Sequence, residues 1–121
     1  GVTATCAVTV TPATITVTWN KSDITGDYGQ SFTKDGITIT ARMIDFQDTN
    51  FMSGGTFTTT SGKFTKIKVT APNSVSGTGW SGSTTEKTWE GDASSSVSFS
   101  GDIMGMGEYD VTIVFTIEPT N

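Results

Sequence analysis

Most of the apolar residues in this chain fall at alternate positions. Ile15, Val17 and Trp19 alternate with Thr14, Thr16 and Thr18; Ile37, Ile39 and Ala41 alternate with Thr38 and Thr40; Ile67 and Val69 alternate with Lys66 and Lys68. A period of two sends successive side chains to opposite faces of an extended strand, one toward a core and one toward water. No window carries apolar residues at the three- and four-residue spacing of an amphipathic helix, and glycines or paired β-branched residues interrupt every candidate. An all-β chain is therefore expected. The apolar share is only 34%, but the residues that supply it are β-branched or aromatic and fall in register, which argues against disorder.

Residues 54–72 give the clearest pair of consecutive strands. Phe57 lies among threonines, Ser61-Gly62 supplies a turn, and Ile67 and Val69 resume the alternation. This predicts a β-hairpin in which Gly62 takes the positive φ of a tight turn. Phe64 is even and Ile67 odd, so a bulge or a strand start at Thr65 is needed if both face the core. A second change of parity, from Ile39 and Ala41 to Ile44 and Phe46, predicts a bulge near Arg42-Met43. Asp35-Gly36 is a turn signal, residues 20–35 read as a loop with a short edge strand at 31–33, and residues 47–55 read as a loop. Past Pro72, Val75 and Trp80 anchor a Gly/Ser-rich stretch, Val97 and Phe99 mark a short strand, and residues 101–108 form a Met/Gly turn. The last segment, Val111, Ile113, Phe115 and Ile117 with Val114 on the other face, is the most apolar and is expected in a sheet interior. About eight or nine short strands with Gly-rich turns predict a two-sheet antiparallel β-sandwich, Ig-like or jelly-roll-like.

A chain of 121 residues suits a single domain spanning 1–121. At its start Val2, Ala4, Cys6, Val8 and Val10 alternate with Thr3, Thr5, Ala7 and Thr9, a strand with one apolar face that Pro12 ends. Cys6 is the sole cysteine, and its place on that face is that of a buried, inert thiol. No signal-peptide pattern and no apolar run long enough to cross a bilayer is present, so no membrane insertion is expected.

A formal charge of −5 argues against nucleic-acid binding and against docking on anionic lipid, both of which need a basic face. Histidine is absent, which removes the commonest general base and metal ligand. No nucleophile elbow precedes a helix, and nothing singles out two of the twelve acids for glycoside cleavage, so the chain is not expected to be an enzyme. No cofactor is expected, with one candidate set aside: Asp45, Asp48 and Asn50 lie close in one loop and could hold Ca²⁺, while ordinary Asx turns explain the same residues. Asp23 and Asp27 form a similar pair in another loop. Trp19 alternates with Ile15 and Val17 and belongs to a core. Trp80, Trp89, Tyr28 and Phe51 lie in or beside Gly/Ser/Asp-rich stretches. Exposed aromatics beside amides and carboxylates grip sugars by stacking on the ring, which makes these four the candidate ligand-binding residues; the alternative is that Trp80 and Trp89 are core anchors.

The string Lys34-Asp-Gly-Ile-Thr-Ile-Thr40, the Gly-Gly-Thr-Phe-Thr and Gly-Lys-Phe-Thr-Lys-Ile-Lys-Val-Thr segments, Gly79-Trp-Ser-Gly82, Trp89-Glu-Gly-Asp-Ala-Ser-Ser-Ser-Val-Ser-Phe99 and Ile113-Val-Phe-Thr-Ile-Glu118 together resemble a repeated β-sandwich module of large surface proteins of gut bacteria. The likeness covers residues 14–118. It implies an extracellular, non-catalytic module of a multidomain protein, with neighbouring domains of the same chain as partners; taken together with the candidate aromatics, it leads to the expectation of a binding or adhesion module with a glycan or host cell-surface ligand. The family carries no defined ligand, and the alternative is a structural spacer or decoration domain of a bacterial or phage surface protein. Separately, residues 2–10 resemble the final strand of group 2 bacterial Ig-like domains. Residues 1–12 are thus either the last strand of a preceding domain or the first strand of this one.

Overall fold

The computed structural model describes residues 14–23, 29–45, 50–71, 75–101, 103 and 111–119, with the backbone alone at 21, 29–30, 42–45 and 50–53. Its elements are β1 (Ile15–Asn20), a 3₁₀ turn (Lys21–Asp23), β2 (Gly29–Lys34), β3 (Ile37–Asp45), β4 (Asn50–Thr59), β5 (Gly62–Thr70), β6 (Trp80–Gly82), β7 (Glu86–Ser94), β8 (Ser96–Phe99) and β9 (Thr112–Pro119). They form two antiparallel sheets, one in the order β1-β9-β5-β7-β6 and one in the order β2-β3-β4-β8. This is the two-sheet β-sandwich that the alternation predicts, with nine strands among the described residues. The opening strand expected at residues 2–10, Cys6 included, lies outside them.

The core lies between the sheets. Phe115 sits at its middle, with the Trp19 ring 4.9 Å away, Phe64 at 5.7 Å and, from the opposite sheet, Phe57 at 5.3 Å. All four are fully buried, as are Ile37, Ile39, Ile67 and Ile113. The strands β5 and β9 have paired neighbours on both sides, the interior position expected for the two most strongly alternating segments. Trp19 is a core residue, as expected, although its indole N–H finds no hydrogen-bond partner. Ile15 begins the same strand but is 47% exposed, because it stands at the end of β1 where the sandwich opens.

Both expected bulges are present. The ladders of β5 with β7 and with β9 each shift between Phe64 and Lys66, so Phe64 and Ile67 both reach the core despite opposite parity. The β3–β4 ladder shifts between Ala41 and Met43. The turn at Asp35-Gly36 closes a two-residue hairpin between β2 and β3, with Lys34 opposite Ile37 and both turn residues at positive φ, 55° and 76°.

Three expectations need correction. The segments flanking Ser61-Gly62 do not form a hairpin: β4 pairs with β3 and β8, whereas β5 pairs with β7 and β9, so residues 60–61 carry the chain from one sheet to the other. Residues 50–55, read as part of a loop over 47–55, already belong to β4, whose ladder partners hold them extended. The edge strand expected at 31–33 is longer, running over all of β2.

Candidate functional site

The tryptophans singled out by the sequence meet where the open edges of the two sheets come together. There β8 ends the four-stranded sheet, β6 and β7 end the five-stranded sheet, and Trp80 stands opposite Trp89 in the β6–β7 ladder. Trp89 points inward and is 8% exposed, a core group as the anchor alternative has it. Two glycines make room for its indole. A Cβ on Gly79 would come within 2.7 Å of the indole Cδ1 and Nε1, and one on Gly91 within 3.2 Å of Cζ2. Gly79 also takes φ 87°, so both the turn and the ring require glycine there.

Trp80 is half-buried and ties the two sheets together. Its indole N–H donates to the Ser98 carbonyl at 3.0 Å, and its ring meets Phe99 edge-on at 6.3 Å. The bond stands at a free strand edge, where unpaired backbone groups otherwise invite another strand. The neighbouring outward positions of β8 are closed as well. Ser76 and Ser100 exchange backbone hydrogen bonds at 2.9 Å in both directions. The Ser94 hydroxyl donates to the Ser96 carbonyl at 2.7 Å and accepts from the Ser96 N–H at 3.2 Å.

Between these edges runs a groove of about 390 Å³, within the size range of small-ligand sites. Trp89, Val97 and Phe99 supply its apolar wall, and Thr78, Ser94, Ser96, Ser98 and Ser100 its hydroxyls. The arrangement suits a ligand with one apolar face and several hydroxyls, and among the described residues it offers no nucleophile–base pair. Sequence reasoning finds Trp89 but misses the serines. A signal for them exists: serines at 94, 96, 98 and 100 alternate with Val97 and Phe99, a pattern that by itself marks only a strand.

Trp80 does not itself line the groove but holds two residues that do, Ser98 through its indole N–H and Phe99 through its ring, and the remaining candidates are not brought there. Phe51 belongs to β4 opposite Ile44, in the ladder on the far side of that strand from β8, and its side chain is not among those described. Tyr28 lies outside the described residues. Of the candidate calcium ligands, Asp45 and Asn50 pair with one another across β3 and β4, their side chains are not described, and Asp48 lies outside the described residues. Among the described residues no group of three or more His, Cys, Asp or Glu side chains is placed to hold a metal. Asp23 has a structural task. Its carboxylate accepts the Asn20 N–H at 2.8 Å and pairs with Lys34 at 2.9 Å, and these contacts, the backbone bond first, hold its pKa below the usual Asp value. Asp27 lies outside the described residues.

At the opposite edge a second hollow of about 530 Å³ lies between β1 and the two turns, lined by Ile15, Val17 and Ile117 with Asp35 and Ser61 at its rim. It gathers no aromatic ring among the described residues and fewer convergent hydroxyls, so the β8 groove is the better candidate. Compared with protein-family models, with curated proteins and with solved structures, the chain matches none.

Proposed function

We propose that this chain is a non-catalytic binding or adhesion module of an extracellular bacterial surface protein, and that its ligand is a glycan. The observation that carries the reading is the groove beside β8, which the largely buried Trp89, Val97 and Phe99 line together with Thr78 and four serines. A pyranose has the same two characters, with C–H groups on its faces and hydroxyls around its rim, and aromatic rings with convergent hydroxyls answer both. The family resemblance of residues 14–118 agrees with an extracellular module and supplies no ligand of its own. A glycan array probed with the wild type and with Trp80→Ala tests the proposal, with a thermal melt to confirm that the variant folds. Binding by the wild type that weakens in the variant supports it. No binding by either removes the glycan reading.

One observation favours a second reading, the structural spacer. Trp19 and Trp89 are buried, and the Trp80 N–H is satisfied within the fold. Acrylamide quenching of tryptophan fluorescence separates the two. Emission wholly shielded in the native state favours the spacer, while a quenchable component lost in Trp80→Ala leaves an aromatic surface for a ligand.

A further inference from the structure

We infer that the β8 groove selects uncharged sugars and rejects acidic ones such as uronic and sialic acids. This rests on the glycan reading above and adds to it the class of ligand. Among the described residues, none of the side chains lining the groove is charged. Its polar side chains are hydroxyls, the group type that both donates and accepts as the hydroxyls of a neutral sugar require, with Ser94 and Ser98 already bonded in part to Ser96 and Thr56. A carboxylate entering the groove would give up hydration to a wall with no cation to replace it, and that exchange is unfavourable.

The surroundings extend the same character. On the outer face of the four-stranded sheet, Ser98, Thr56, Thr40 and Ser31 stand in one cross-strand row, and Ser96, Thr58, Thr38 and Thr33 in the next. All eight are exposed or half-buried hydroxyl residues, and two pairs touch, Thr56 with Ser98 at 3.1 Å and Thr33 with Thr38 at 2.7 Å. A chain leaving the groove in this direction crosses no charge over these two rows. On the β7 side the neighbours of Trp89 are Glu90, largely exposed with its carboxylate 3.9 Å from Lys66, and the exposed Asp92. Lys87, two residues before Trp89, does not line the groove. With the net charge of −5, approach of an anionic sugar is opposed at long range as well.

The test is an array of matched pairs, neutral oligosaccharides beside their sialylated forms and neutral glucans beside oligogalacturonides, followed by calorimetry on the hits at low and high salt. The expected result is binding confined to the neutral members, with affinity changing by less than about twofold between low and high salt, since no ion pair is there to screen. Thr78→Lys, at the exposed rim, is expected to gain binding to the acidic member of a pair. Hits among acidic sugars, or affinity that falls about tenfold with salt, overturn the neutral selection and leave the glycan reading standing. Binding to no sugar at all overturns both.

Discussion

Two connections in this molecule have the same length, and they do opposite things. Asp35-Gly36 turns the chain back on itself so that β2 and β3 lie side by side, and Thr60-Ser61 sends it across the core so that β4 and β5 face each other from different sheets. The alternation around them is alike. Phe32 and Ile39 point inward beside the first turn, Phe57 and Phe64 beside the second. Alternation records which residues face the core. It does not record whether the partner is alongside or opposite, because both arrangements put the same residues inside.

Close contacts made by the two connections show what distinguishes them. At the hairpin, Asp35 and Gly36 both adopt the left-handed conformation that a two-residue turn needs, and an Asp-Gly pair supplies it with little strain. At the crossing, the chain passes so close to the end of β9 that a side chain on Gly62 would run into the Glu118 carbonyl and stand 2.9 Å from the Pro119 Cα. The two turns also touch, the Gly36 carbonyl accepting the Thr60 N–H at 3.1 Å. The crossing is thus held by the strand end on one side and the hairpin on the other.

Substitutions can break or sharpen this contrast. The largest effect is expected from Phe115→Ala, about 3 to 5 kcal/mol in denaturant melts, because Phe115 touches aromatic rings of both sheets. A loss under about 1 kcal/mol would mean that the rings do not meet between two layers. Next comes Gly62→Ala, at about 2 to 4 kcal/mol, since an added Cβ collides with backbone at φ 154° and backbone has no rotamer to escape into. Gly36→Ala should cost less, about 1 to 2 kcal/mol, because its chief obstacle beyond φ 76° is the Ser61 hydroxyl, a group that can rotate away. If chemical denaturation ranks Gly36→Ala above Gly62→Ala, the crossing is not packed against β9 as described.

The smallest effect concerns the 3₁₀ turn after β1, where Asp23 joins the end of β1 to Lys34 at the end of β2, beside the hairpin turn. Its pKa is lowered in the folded state, so its contribution is fully present above the ordinary Asp value and disappears as the pH falls through the lower, folded value. Carboxyl titration by NMR should place Asp23 below the usual Asp range. In Lys34→Met it should rise and yet stay low, because the Asn20 N–H bond is the larger cause. A return to the ordinary value in that variant would mean that the ion pair, and not the backbone bond, holds the carboxylate ionised.

Much of the fold is legible because strand faces are written locally. The Phe64-to-Ile67 parity change demands a bulge or a strand start at Thr65, and both ladders shift register there; the same logic locates the irregularity between Ala41 and Met43. What is not legible is pairing, which depends on residues far apart in sequence. Nothing local to residues 54–70 says that Phe57 lies beside Val97 or that Phe64 lies beside Ile117. The candidate site shares this limit. Trp80 and Trp89 stand out as large rings in polar stretches, but two of the serines that complete the groove, Ser96 and Ser98, belong to β8, whose place in the opposite sheet is set by its pairing with β4.

The separation of β4 from β5 therefore decides both the architecture and the groove, and nuclear Overhauser contacts between backbone protons test it most directly. The expected spectrum connects Phe64 with Ile117 and Lys68 with Val114 on one side, and Phe57 with Val97 and Ile39 on the other, with no ladder joining β4 to β5. A regular series of backbone contacts from Thr59 with Gly62 through Phe57 with Phe64 would instead make 54–70 a hairpin and contradict the sandwich described here.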